Sequence, residues 1–194
     1  MIFSRRRAAR SGRHSRDERS NRPQAEAPAP EVAEPAPPAF GPYDISQAPK
    51  GVQRLDLGSL HIPAVPDVEV RVQANPDGLV QQVVLVHRDS ALQVGAFAAP
   101  RSEGIWDEVR DEIRASLIKE GALVEEVQGP YGIELRARVR TPDGGTDLRF
   151  VGVDGPRWMV RGVYQGPAAV DPGRAGPLAA CLEGLVVDRG SEAK

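Results

Sequence analysis

The sequence contains little of what metal-binding, membrane-spanning or base-stacking proteins require. Cys181 is the only cysteine among 194 residues, so the chain forms no internal disulfide bond and no cysteine-based zinc site. No apolar run approaches the ~20 residues that a membrane-spanning helix needs. Aromatic residues make up only 5% of the chain, which is little for a protein that would stack on many nucleic-acid bases. The length suits one ordinary domain and an appendage.

Charge and proline divide this length into segments. Residues 1–22 contain eight arginines and two acidic residues, whereas residues 23–194 have a net charge of -8. Residues 23–49 contain eight of the 18 prolines, and such a stretch has too little apolar surface to offset the entropy of ordering its backbone. We therefore predict a basic disordered arm over 1–22, a Pro/Ala-rich disordered linker over 23–49, a single globular domain over 50–189 and a disordered tail over 190–194.

The beginning of the chain also bears on location. The consecutive Arg5, Arg6 and Arg7 are reminiscent of a twin-arginine leader, but a leader needs an apolar stretch of ~7–15 residues behind its basic region. The residues after Arg7 are polar throughout. The sequence therefore predicts a cytoplasmic protein, and a single cysteine is consistent with a reducing compartment.

The first half of the predicted domain alternates polar and apolar residues as strands do. Strands are predicted over 53–57, 68–72, 81–87 and 92–97, and the last two form a hairpin across a short polar connection. A helix follows, with Ser102 as its N-cap and Gly121 as its C′ residue. Its apolar face has residues at spacings of three and four, namely Trp106, Val109, Ile113 and Leu117.

The second half returns to strands, predicted over 123–127, 131–140, 147–153 and 157–164 with hairpin turns between them. Asp171 and Pro172 then predict the start of a closing helix. The apolar stripe of that helix comprises Leu178, Cys181, Leu182 and Leu185. Because the turns join strands that are adjacent in sequence, we predict an α+β domain, a mainly antiparallel sheet with two main helices packed on it.

Several segments carry resemblances to known families. They are the MIFSRRR start, FGPYDISQAP at 40–49, LDLGSLHIP at 55–63 and WDEVRDEIRASL at 106–117. On these segments nearly the whole chain resembles an uncharacterised actinobacterial family known only as a domain of unknown function, which implies no activity and no catalytic residues. Separately, RWMVRGVYQGPAA followed by LAACLEGLVV is similar to the C-terminal end of Mog1/PsbP-like domains. That resemblance implies an α/β/α sandwich, and a fold alone does not define function.

The sequence indicates no catalytic or metal site, and we predict no cofactor. His61 and His87 lie at predicted strand ends, without HExxH or CxxC spacing. Cys181 lies on an apolar stripe, where a free cysteine acts as a small buried hydrophobic residue. Several acidic residues lack the spacing of an acid–base pair: Asp67, Glu69, Glu125 and Glu126. We expect a protein that is not an enzyme, and an enzyme with an unfamiliar site is the remaining alternative.

Arginines of the arm form the first candidate anion-binding feature. Basic residues in a disordered segment contact phosphates of nucleic acid or of anionic lipid, and such binding weakens steeply with salt. The competing interpretation is a tail that only keeps the protein soluble. The candidate residues are Arg5, Arg6, Arg7, Arg10, Arg13 and Arg16.

A basic strip on the predicted sheet is the second feature. Period two places three arginines on one face of the strand over 131–140, namely Arg136, Arg138 and Arg140. Three arginines of the neighbouring strands are expected nearby, namely Arg149, Arg157 and Arg161. Such a strip binds anions or nucleic acid. The competing interpretation is a solvated outer face that Glu134 and Asp147 partly neutralise.

Two functions from different classes fit these features. The first is a non-enzymatic interaction or regulatory module of unknown protein partner, which the basic arm would hold near an anionic surface. The alternative is a nucleic-acid-associated protein that uses the arm together with the strip. Trp158 and Tyr164 are predicted on the face opposite Arg157 and Arg161, which disfavours stacking of bases there.

Overall fold

The alternating segments of the sequence form strands over most of their predicted lengths. The computed structural model describes residues 39–77, 80–100, 103–142 and 144–189. The strands within these ranges are β1 (Tyr43–Asp44), β2 (Arg54–Asp56), β3 (Leu60–Pro63), β4 (Glu69–Ala74), β5 (Val80–His87), β6 (Ser90–Ala98), β7 (Leu123–Gly129), β8 (Gly132–Thr141), β9 (Gly144–Gly155), β10 (Trp158–Gln165) and β11 (Val186–Val187). The helices there are α1 (Trp106–Lys119), α2 (Pro167–Val170) and α3 (Gly176–Glu183).

Seven strands form the large sheet, in the order β4-β5-β6-β10-β9-β8-β7. All neighbouring strands in it are antiparallel. The sheet consists of two meanders, β4 to β6 and β7 to β10, which meet where β6 pairs with β10. Helix α1 connects the meanders and leaves β7 and β4 at the two edges. The predicted mainly antiparallel α+β fold is confirmed.

Helix α1 covers one face of the large sheet. Trp106 and Leu117 pack with apolar residues of β8, β9 and β10, among them Phe150 and Met159. The Trp106 indole N–H donates a 2.9 Å hydrogen bond to the carbonyl of Ile133. The four residues predicted as the apolar face of this helix all belong to this core.

Helix α3 and a small second sheet cover the opposite face. The small sheet has the strand order β1-β11-β3-β2. The apolar residues of α3 pack with β5, β6 and β10, for example Leu178 and Leu182 with Leu85 and Val160. Since Met159 belongs to the α1 core and Val160 to the α3 core, the two main helices pack on opposite faces of the large sheet.

The body begins earlier than the predicted boundary at residue 50. Tyr43 of β1 pairs with Val186 of β11 in parallel, and the Gly41 N–H donates a 2.7 Å hydrogen bond to the Glu183 carbonyl. The predicted linker is therefore wrong in its last residues, because backbone partners from the end of the chain satisfy this proline-rich stretch. The predicted arm over 1–22, the linker as far as residue 38 and the tail over 190–194 lie outside the described residues.

Both helix starts also differ from the prediction. Ser102 lies outside the described residues, and α1 begins at Trp106 under the carboxylate of Asp154, which accepts hydrogen bonds from the N–H groups of Ile105 and Trp106 at 2.8 and 3.2 Å. Asp171 caps a short 3-10 turn over Pro172–Arg174 instead of α3. A carboxylate from β9 thus supplies the cap of α1, and local sequence alone does not reveal such a partner.

Gly152 provides a test of the α1 core. A Cβ atom at this position would lie 2.0 Å from the Trp106 ring, so Gly152→Ala displaces the indole and destabilises the domain by about 1–3 kcal/mol through overpacking. Urea unfolding followed by tryptophan fluorescence measures the loss. Gly95→Ala is the matched control, because its Cβ would lie 3.3 Å from the Phe97 ring. Equal stability of the two variants would contradict this account of the core.

Candidate anion-binding cleft

A cleft of about 380 Å³ opens on the large sheet where β7, β8 and β9 meet α2. It lies on the α3 side of the sheet, on the outer strands. Two apolar residues, Leu123 of β7 and Val170 of α2, lie at its rim with exposed fractions of 75% and 58%. The charged residues of its lining are Glu125, Arg136, Arg138 and Asp147.

Strand register brings these charges together. Across β7, β8 and β9, Glu125 lies opposite Arg136, and Arg136 lies opposite Arg149. One step along, Arg138 lies opposite Asp147. Directly opposite residues in an antiparallel sheet have their Cβ atoms ~5 Å apart on the same face. The cleft therefore has two rows of charge, and the two rows differ in how their charges are compensated.

The outer row is neutralised within itself. The Nη1 atom of Arg138 donates to both carboxylate oxygens of Asp147, at 2.9 and 3.1 Å. Both side chains are well exposed, so the pair contributes at most ~1 kcal/mol. The carboxylate of Asp147 nevertheless compensates the positive charge of Arg138. Arg140, the next arginine on this face, is exposed and lies opposite Gly145.

The inner row contains Arg136, whose charge has no partner in contact. Its side chain is half-buried, and its Nε atom is buried without a hydrogen-bond partner. Among the described residues, no carboxylate forms an ion pair with it within 4.0 Å, and this includes Glu125 across the strand. Because its side chain is only half-buried and forms no ion pair with the described residues, Arg136 is the arginine of the cleft best placed to bind an anion.

Arg149 and Glu134 form a buried ion pair behind Arg136. Their exposed fractions are 3% and 1%, and the Nη1 of Arg149 donates to the Glu134 carboxylate at 3.2 Å. The guanidinium also lies over the ring of Tyr164, 4.1 Å from its centre. Burial raises the pKa of Glu134, while the positive charges of Arg149 and Arg136 oppose that shift. Because Arg149 is buried and paired, its guanidinium is not accessible to a ligand in the cleft.

The same guanidinium fixes the wall of the cleft. The Nε and Nη2 atoms of Arg149 donate to the Ala168 carbonyl of α2 at 3.2 and 3.1 Å. The N–H of Ala168 donates in turn to the hydroxyl of Ser90 at 3.1 Å. Both side chains are buried, so α2 is held through its backbone from two strands. These bonds hold the helix that carries the rim residue Val170.

Other titratable groups near the pair are kept protonated. Burial raises the pKa of Tyr131 and of Tyr164, and it raises the pKa of the Cys181 thiol to about 11. The Tyr131 hydroxyl and one oxygen of Glu134 are buried without a hydrogen-bond partner. A thiol that is neutral at physiological pH is a poor nucleophile, which fits the structural role predicted for Cys181.

The predicted basic strip is not continuous, and three of its arginines require correction. Arg149 lies on the expected face but is buried with Glu134. Arg161 lies on the opposite face, with its guanidinium 5.0 Å from the centre of the Phe97 ring. It is two residues from Met159 on β10, so both side chains point to the face that α1 covers. Arg157 occupies the turn before β10 with a φ of 69°. Arg138 forms an ion pair with Asp147. Of the two arginines that line the cleft, only Arg136 has no ion-pair partner among the described residues.

The remaining residues considered for anion or metal binding are the arginines of the arm and the histidines. Arg5, Arg6, Arg7, Arg10, Arg13 and Arg16 lie outside the described residues. His61 approaches Asp56 at 3.7 Å, and the Nδ1 of His87 lies 2.9 Å from the Asp67 carbonyl.

Within the ranges that the structure describes, no three histidine, cysteine or acidic side chains converge on a metal position. None of the helices there has the length and apolar character to cross a membrane.

The chain thus forms an α+β domain with a partly open cleft of mixed charge. The chain belongs to the DUF3710 family, described as a protein of unknown function, whose model matches residues 41–194. Its N-terminal limit agrees with the contacts of Gly41. No curated protein matches the chain. The family match gives no support to the likeness with Mog1/PsbP-like domains, which stays a prediction.

The buried ion pair predicts a large and pH-dependent effect of one substitution. Arg149→Met leaves the Glu134 carboxylate buried without its partner, at a cost of about 3–5 kcal/mol near neutral pH. Without the arginine, the folded state holds the Glu134 proton more tightly than the unfolded state. The variant therefore loses stability as pH rises, and its deficit is smaller at about pH 4 than at about pH 7.

Urea unfolding of the parent and the variant at both pH values measures this difference. Arg149→Met combined with Glu134→Leu removes both charges and should be more stable near neutral pH than Arg149→Met alone. A deficit that does not change with pH, or a double variant less stable than the single one, would contradict the buried pair.

Proposed function

We propose that this domain is a non-enzymatic binding module whose cleft takes an anionic group, carboxylate or phosphate, through Arg136. The observation that supports the proposal is a half-buried arginine in the lining of the cleft that forms no ion pair with the described residues. Guanidinium groups bind carboxylates and phosphates through two parallel hydrogen bonds. No carboxylate of the described residues lies within 4.0 Å of the Arg136 guanidinium, so this group is available to an anionic ligand.

The surroundings of Arg136 support a ligand of small size. A volume of about 380 Å³ lies within the usual range of small-molecule sites. Leu123 and Val170 at the rim offer apolar contact, while the ion pairs of Arg138 and Arg149 leave those arginines less available. On the described part of this face, the pairing of Arg138 with Asp147 interrupts the row of arginines, which favours a small ligand over a long nucleic-acid track.

The test compares two arginines of one strand in the full chain. Acetate and inorganic phosphate are added to isotope-labelled protein, and backbone amide resonances of β7, β8 and α2 are followed. We expect binding of at least one anion, weakened about tenfold or more by Arg136→Gln. Arg140→Gln is the matched control and should leave binding unchanged. Equal weakening by the two variants, or no response near the cleft, would overturn the proposal.

For the arm, we propose that the protein is located in the cytoplasm and that residues 1–22 hold it near an anionic surface there. The support is the excess of eight arginines over two acids in this segment. Neutralised phosphates release counterions, so the binding should weaken steeply with salt. The variant to compare carries glutamine at Arg5, Arg6, Arg7, Arg10, Arg13 and Arg16.

The measurement is binding of the full chain and of this variant to anionic vesicles and to labelled duplex DNA at two salt concentrations. We expect the parent to bind at least one surface at low salt and the variant to lose that binding. Salt-independent binding, or binding that the variant retains, would count against the arm. DNA binding that is lost in Arg138→Gln would instead favour the nucleic-acid alternative that uses the strip.

A further inference from the structure

The charges around the cleft balance before any ligand arrives. Arg138 is paired with Asp147 and Arg149 with Glu134, which leaves Arg136 and Glu125. Both line the cleft, and they lie directly opposite each other on β8 and β7. A simple anion at Arg136 would therefore be placed beside a carboxylate that repels it. A ligand that carried a cationic group next to its anionic group would meet both charges.

Resting on the anion-binding function proposed above, we infer that the ligand is a zwitterion, an α-amino acid with an apolar side chain. Its carboxylate binds Arg136 and its ammonium group binds Glu125. The two charged groups of an amino acid are attached to one carbon atom, which suits side chains whose Cβ atoms lie ~5 Å apart across two strands. Rim residues Leu123 and Val170 then contact the apolar side chain.

The neighbouring glutamate shows why Glu125 has this role. Glu126 points to the other face of β7, where Arg110 donates a 3.3 Å hydrogen bond to it. Glu125 is exposed and forms no ion pair with the described residues. A direct contact between Glu125 and Arg136 would be worth only ~0–1 kcal/mol at this partly exposed position. A ligand that binds both side chains therefore displaces a Glu125–Arg136 interaction that contributes little free energy.

The experiment uses three probes of one shape and the full chain. L-leucine has both charged groups, 4-methylpentanoate lacks the ammonium group, and 3-methylbutylamine lacks the carboxylate. Calorimetry and backbone resonances of β7 and β8 measure affinity and place. We expect leucine to bind most tightly and removal of either charged group to weaken binding about tenfold.

Variants assign the two halves of the ligand. Arg136→Gln should weaken leucine and 4-methylpentanoate but not the amine, whereas Glu125→Gln should weaken leucine and the amine but not 4-methylpentanoate. Glu112→Gln, on the exposed side of α1, is the matched control and should change none of the three affinities. Thermal unfolding of each variant verifies that it folds.

The outcomes separate the inference from the proposed function. If 4-methylpentanoate binds as tightly as leucine and its binding still requires Arg136, the zwitterion is wrong and the anion site stands. If leucine binds but Glu125→Gln does not weaken it, the assignment of the ammonium group is wrong. If none of the probes, nor acetate or phosphate, depends on Arg136, the inference and the proposed function both fall.

Discussion

The buried guanidinium of Arg149 is the constraint on which the cleft depends. It neutralises Glu134, lies over the Tyr164 ring and donates twice to the Ala168 carbonyl. Three elements, β8, β10 and α2, are thereby held by one side chain of β9. Since an unpaired buried ion is far more costly than a paired one, none of these contacts is lost without disturbing the others. The wall of the cleft is accordingly a fixed surface.

This arrangement explains why adjacent arginines of one sheet face differ in availability. Arg149 and Arg136 lie directly opposite each other, and like charges at such positions repel. The negative charge of Glu134 reduces that repulsion, since it interacts with both arginines. The buried Nε of Arg136 has no hydrogen-bond acceptor among the described residues. An available arginine in the cleft therefore lies opposite a buried, ion-paired arginine outside it. A small balanced ligand suits that combination better than a long polyanion does.

Sequence periodicity predicted the long strands and both main helices because each has several turns or alternations to read. It could not predict β1 and β11, since strands of two residues have no period and depend on partners far along the chain. The polar face of β8 was open to two interpretations, and alternation alone does not distinguish a solvated arginine from a buried one. Burial of Glu134 with Arg149 follows from α2, whose four residues carry no helical pattern. Arg136 was among the predicted anion-binding residues, whereas only strand register places Glu125 opposite it.

Side-chain NMR of the arginine Nε–H groups tests the central claim most directly, because it reports on Arg149 and Arg136 in the same sample. In the full chain, the Arg149 resonance should exchange slowly with solvent and stay in place as L-leucine is added, since its donor is already bound to Ala168. The Arg136 resonance should move as L-leucine binds. An Arg149 signal that exchanges as fast as that of exposed Arg140, or an Arg136 signal that does not respond to leucine, acetate or phosphate, would contradict the account.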